Sequence, residues 1–270
     1  MSAVNIKREL DGLGALAALA APTPNWGSNW SSRCDDSWRN EWTGGASFEQ
    51  AIAMARIGWP EGAARAQKLL KSLQLPPFEE THSVTQNDVT GSYVDVGEYV
   101  QGVPECMVDF REDTRKARFL SIRVSGVMAC AIPAEEAMNR GVCIAAIVDA
   151  LESRGIRCDV SLVFLNRRPR GTVEYTVSLK RATDPLNLDV IAFGVAHPAC
   201  FRRLVFGAYE NESKATRLAL HVPGGYGIVT KVPESDGEIT FQSPRIMEDW
   251  SPKAALEHIQ NALRKAGEQA

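Results

Sequence analysis

Residues 157–180 read RCDVSLVFLNRRPRGTVEYTVSLK, and their patterning decides the fold. From Arg157 to Leu165 one side is apolar throughout: Cys158, Val160, Leu162 and Phe164. The other side turns from polar (Asp159, Ser161) to apolar (Val163, Leu165), as in a central strand. After Asn166-Arg-Arg-Pro-Arg-Gly171, the residues Val173, Tyr175, Val177 and Leu179 alternate with Thr172, Glu174, Thr176, Ser178 and Lys180. A strand with one wet face, joined by six residues to its predecessor, is expected as its antiparallel hairpin neighbour at a sheet edge.

Working outward, Pro133 opens a helical region that is expected to bend near Gly141 and to stop at Gly155. Segments 104–110 and 118–125 read as strands around a charged turn at 111–116, and Asp95 with Glu98 caps a short helix closed by Gly102. Downstream, Asp184-Pro185 opens a helix, His197-Pro198 resets it, and 199–210 continues it. Segments 217–222 and 239–241 read as strands around the loop Gly224-Gly225-Tyr226-Gly227, and Ser251-Pro252 caps a terminal helix. Upstream, Ser47 with Gln50 forms a capping box, Gly58 ends that helix, and Pro60 starts another that Pro76-Pro77 stops. The apolar run 12–21 behind Lys7 and Arg8 reads either as a secretory core or as a short buried helix ended by Pro22 and Pro24.

This order of elements predicts an α/β fold, a three-layer sandwich with a mostly parallel sheet and an antiparallel edge hairpin. The core is placed at 86–270 and a helical, Trp-rich N-terminal extension at 1–85. Trp26, Trp30, Trp38 and Trp42 fall in that extension as two pairs four residues apart. They read as a clamp holding an irregular arm on the core, as a partner surface, or as a base-stacking platform.

The chain has 270 residues, a net charge of −3 and a hydrophobic fraction of 44%, which excludes disorder and a uniformly basic surface. Six cysteines are too few for a disulfide scaffold, and none lies at zinc-ligand spacing. Cys143 and Cys158, set among aliphatic residues, read as small buried hydrophobes. With no apolar run long enough to span a bilayer, a reduced, cytoplasmic protein is expected.

The strand, helix, strand, antiparallel strand order over 117–265 resembles the von Willebrand factor A domain. That resemblance implies a metal-ion adhesion motif D-x-S-x-S, for which the local match is Arg123-Val-Ser125-Gly-Val127. Arginine replaces the metal-binding aspartate, so Arg123, Ser125 and Thr183 are expected as the edge of a dead metal site. The segments Trp42-Thr-Gly-Gly45, Gly58-Trp59-Pro-Glu-Gly62, Val94-Asp-Val-Gly97 and Gly102-Val-Pro-Glu-Cys-Met107 resemble an uncharacterised family of tailed-phage and prophage proteins. So do Arg140-Gly141, Leu151-Glu152 and Gly155. This second resemblance implies a role in the cytoplasm of an infected bacterium and brings no catalytic residues.

Candidate chemistry is thin. The histidines His82, His197, His221 and His258 accompany no G-x-S-x-G elbow, and His197 reads as a cap on a backbone group. The glycine loop 224–227 lacks a Walker lysine, and Glu98, Glu105 and Asp109 carry no substrate cue. Arg167, Arg168 and Arg170 crowd the hairpin loop, Arg154 and Arg157 flank the preceding turn, and Arg202-Arg203 sit on a helix. Arginine's planar fork suits phosphate. No catalytic residue, cofactor or metal is assigned. The expected function is a non-enzymatic accessory or adaptor working by protein–protein contact, with an AAA+ ATPase as the partner the first resemblance suggests. The alternative is a nucleic-acid-binding factor using the arginine loop.

Overall fold

The computed structural model describes residues 4–27, 30–35, 37–72, 85–110, 119–222, 228–235, 238–243 and 257. The described strands are β1 (Val4–Leu10), β2 (Thr85–Asp88), β3 (Tyr93–Val94), β4 (Met107–Phe110), β5 (Phe119–Ser125), β6 (Arg157–Arg168), β7 (Gly171–Lys180) and β8 (Glu238–Phe241). The helices are α1 (Leu13–Ala20), α2 (Ser37–Trp42), α3 (Phe48–Ile57), α4 (Pro60–Ser72), α5 (Val96–Val100), α6 (Ala134–Glu152), α7 (Leu188–Ala196), α8 (Phe206–Glu210) and α9 (Lys214–Leu220). A π-helical segment, Cys200–Val205, leads into α8.

The chain divides into a larger unit, 1–73 with 119–270, and a smaller one, 74–118. This line differs from the expected break between 85 and 86, because the first 72 residues supply a strand and helices to the larger unit.

The larger unit is α/β, with one mostly parallel sheet ordered β1-β7-β6-β5-β8. β5 pairs in parallel with both β6 and β8, and β6 and β7 form the antiparallel hairpin. The hairpin is not at the edge. β1 pairs in parallel with β7 along its whole length, from Val4 beside Gly171 to Leu10 beside Val177. The reason is local: a Cβ at Gly171 would sit 2.5 Å from the Val4 carbonyl oxygen, so only glycine lets the strands approach. The connection is also tighter than six residues, since only Pro169 and Arg170 lie between the strands.

Helices cover the face bearing Leu162, Phe164, Tyr175 and Val177. Phe164 stacks on Phe201 with ring centroids 6.0 Å apart, and Tyr175 meets Tyr209 at 5.3 Å. Phe164, Tyr175, Phe193 and Phe201 are fully buried, each worth about 1.5–3 kcal/mol in removed apolar surface. On the opposite face Val163 and Leu165 pack with Val232, while Thr172, Glu174, Thr176 and Ser178 stay partly wet. The terminal helix expected after Ser251 and the glycine loop 224–227 lie outside the described residues, as do His82, His258 and the turn 111–116.

Two local expectations change. The helix α6 is continuous through Gly141, where a Cβ would fall 2.1 Å from Ala196 Cα, so the glycine serves close helix contact. Segment 217–222 belongs to α9 and a turn after it, because Ser213 caps Thr216 N and Thr216, Ala219 and Leu220 share a buried face. The run 13–20 follows the buried-helix alternative read from sequence, burying Leu13, Leu16, Ala17 and Ala20. The capping box at Ser47 and the left-handed Gly58, with φ of +88°, stand as expected.

The smaller unit is a three-stranded antiparallel sheet ordered β2-β4-β3. Helix α5 sits between β3 and β4, with Asp95 accepting from Gly97 N and Glu98 N as its cap. No single helix among the described residues is long and apolar enough to cross a membrane.

Candidate functional site

The tryptophan segment is held from within by two buried arginines. Arg203 donates to the carbonyls of Ala46 (3.1 Å), Ser32 (3.0 Å) and Cys34 (2.8 Å) and to Asp35 at 2.7 Å. Arg202 donates to the carbonyls of Trp42 (2.6 Å), Ala129 (3.2 Å) and Ile132 (2.7 Å), with its guanidinium 4.3 Å from the Trp42 ring centre. Burial lowers Arg202 to about 10. The pair read from sequence as a basic surface is therefore internal, each member fully buried. A doublet of cations inside the apolar run 199–210 was the signal, since buried charges demand cages of acceptors.

The rings follow suit. Trp26 donates to Glu210 O at 2.7 Å, Trp30 to Trp26 O at 2.8 Å, and Trp42 to Cys130 O at 2.9 Å. Trp38 stacks on Trp42 at 5.8 Å and is 63% exposed. Three of the four are anchors of a clamp, and one ring faces outward.

The hairpin arginines divide. Arg167 and Arg168 are the last residues of β6, and Arg170 lies in the turn, where its carbonyl accepts from Val4 N. Arg167 and Arg170 are exposed and Arg168 is half-buried. Arg154 and Arg157 lie at the opposite end of β6, engaged with Ala150 O and Glu152.

Arg123, Ser125 and Thr183 do not converge. Arg123 on β5 faces Glu238 at 3.4 Å and Glu174 at 4.0 Å, and Ser125 ends the same strand beside Val163. Thr183 follows β7 beyond Lys180, which pairs with Val160, and its neighbour Ala182 donates to Asp159. The antiparallel turn of the hairpin thus carries Thr183 to the far end of the sheet. Among the described residues no group of three His, Cys, Asp or Glu side chains can hold a metal.

Several other titratable groups are engaged in internal contacts. Lys180 meets Glu152 at 2.8 Å, both buried, and Glu152 also accepts from Cys158 N. Burial opposes the charge on Glu152, but the Lys180 and Cys158 donors hold its pKa below the ordinary value. Tyr175 donates to Glu212 at 2.5 Å, and Arg8 reaches the same oxygen at 2.8 Å. Burial, and then that hydrogen bond, raise Tyr175. His197 Nδ1 accepts from Ala199 N, the capping role read from sequence, and burial lowers it to about 4. Burial also raises the Cys143 and Cys158 thiols.

What sequence reading passed over is the exposure of the smaller unit. Among the described residues twelve large apolar side chains are exposed, and seven of them (Val89, Tyr93, Val94, Val96, Tyr99, Val100, Val103) fall within residues 85–110. Their signal was the spacing 96, 99, 100 on the short helix, one helical stripe. Glu105 lies in a turn before β4, outside the shorter strand observed where one was expected over 104–110.

Comparison with known proteins adds a family and no activity. No curated protein and no solved structure matches the chain. A family profile described as a domain of unknown function, DUF7192, matches residues 6–267, which takes in both units. The chain, whose clamp and exposed smaller unit both fall within that span, belongs to the DUF7192 family.

Proposed function

We propose that this chain is a non-catalytic adaptor that works by protein–protein contact, with the 85–110 unit as its contact surface. One observation carries the reading: among the described residues, more than half of the exposed large apolar side chains lie in this short span. Exposed apolar patches of this kind mark interaction sites. The engaged state of Arg202, Arg203, Glu152, Lys180, Glu212 and Tyr175 supports it, since each closes an internal contact.

The order β7-β6-β5-β8, with the α6 crossover between β5 and β6, supports a von Willebrand A-like reading of the larger unit. Domains of that kind serve AAA+ ATPases as adaptors, and an ATPase of that class is the partner this reading names. The resemblance of segments such as Trp42-Thr-Gly-Gly45 to tailed-phage proteins is what supports a proposed role in the cytoplasm of an infected bacterium.

The test is a photo-crosslinking residue at Tyr99, with a control at the exposed Ile57 of the larger unit, in the native cell. The reading expects one protein adduct from position 99 and none from 57. Equal labelling at both, or no adduct at 99, overturns it. A second reading rests on the exposed Arg167 and Arg170 at the hairpin turn. It expects salt-sensitive DNA or RNA binding that Arg167→Glu with Arg170→Glu abolishes in a gel shift.

A further inference from the structure

Helix α5 is short, yet it is tightly framed. Asp95 caps its start, accepting from Gly97 N at 2.9 Å and Glu98 N at 3.2 Å. Its end closes through Gly102 N to Tyr99 O and Val103 N to Glu98 O, with Gly102 at φ +71°. Within this frame Val96, Tyr99 and Val100 stand at i, i+3 and i+4 and are 68%, 65% and 77% exposed. None of the helix's residues is buried. An ordinary surface helix turns such a stripe onto the core, as α1 does with Leu13, Leu16, Ala17 and Ala20. Here the capped stripe is left exposed.

The charge around the stripe says what covers it. Residues 85–110 contain Asp88, Asp95, Glu98, Glu105 and Asp109 and no Lys, Arg or His. The segment sums to −5 in a chain of net −3, so everything outside it sums to +2. We infer that the α5 stripe is the docking site for a cationic amphipathic segment of a partner protein, with Lys or Arg interleaved among apolar residues. A two-fold contact with a second copy sets one segment of charge −5 against another, which disfavours it. The same charge repels nucleic acid.

This inference rests on the adaptor reading and names the partner's chemistry. Its test is fluorescence anisotropy of the full chain with a synthetic Leu/Lys amphipathic helix and an isosteric Leu/Gln helix as probes. The Leu/Lys helix is expected to bind at least about tenfold tighter, an advantage that fades as salt rises. Val96→Ser with Val100→Ser is expected to weaken it about tenfold or more, from lost apolar burial. Glu105→Lys weakens it less, and Ile57→Ser leaves it unchanged. Equal binding of the two helices, or unchanged affinity of the double variant, overturns the inference. So does self-association, measured by light scattering, that the double variant abolishes, since the occupant is then a second copy. A partner crosslinked at position 99 through an acidic or neutral segment overturns the cationic chemistry and leaves the adaptor reading standing. Absence of any protein adduct at 99 removes the adaptor reading even if the probe helix binds.

Discussion

Two regions of this chain are rich in large apolar side chains and use them in opposite directions. In residues 26–59 three rings meet cations: Trp42 faces Arg202 at 4.3 Å, Phe48 faces Arg33 at 3.9 Å, and Trp26 faces Arg217 at 4.5 Å, while Trp38 alone of the tryptophans there is exposed. In residues 85–110 there are no cations, and five valines and both tyrosines are exposed. A cation fixed in a cage of carbonyls organises the rings above it and turns an irregular segment into core. In 85–110 the only charged residues are carboxylates, and these apolar side chains stay exposed.

The sharpest way to break this contrast is to remove the cage. Arg203→Ala strands the carbonyls of Ser32, Cys34 and Ala46, and is expected to cost about 3–5 kcal/mol, read from urea unfolding. A loss below about 1 kcal/mol denies the clamp.

Next in size is a pH effect at the clamp's rim, where His197 packs edge-on to Trp59 at 4.8 Å. Burial, with Arg65 adding to it, lowers His197 from 6.5 to about 4. As pH falls the unfolded chain takes up this proton first, so stability drops from about pH 6.5 down to about pH 4, by up to ~3 kcal/mol. Stability measured against pH is expected to lose that part of its slope in His197→Gln.

Smaller again is the difference between stacked neighbours. Trp42→Phe forfeits the bond to Cys130 O and part of the contact with Arg202, about 1–2 kcal/mol, whereas Trp38→Phe stays within about 0.5 kcal/mol. Equal losses in thermal melts place Trp38 in the clamp. The smallest effect expected is in the other region: Val96→Ser with Val100→Ser leaves stability within about 0.5 kcal/mol, because both side chains are already exposed. A loss of 2 kcal/mol or more makes α5 a structural element.

Much of the sheet was legible. The alternation at 172–180 and the two-sided apolarity of 163 and 165 identified the hairpin and the central strand, and Ser47, Gly58 and Asp95 marked helix ends. What escaped is long-range. β1 carries Lys7, Arg8 and Glu9, which an edge strand tolerates but which read as a polar leader, so its parallel pairing to β7 was invisible. Segment 217–222 is short enough for both periods to fit, and the Ser213 cap decides. Arg202 and Arg203 looked like surface charge because their acceptors lie some 70 to 170 residues away. The α5 stripe was visible as a spacing, but exposure is a property of packing and cannot be read from three valine and tyrosine positions.

The account turns on which apolar surface meets a partner, and photo-crosslinking residues placed separately at 99 and at 38 measure that directly. The prediction is a protein adduct from 99 and none from 38. An adduct from 38 alone contradicts it and moves the contact surface to the tryptophan segment.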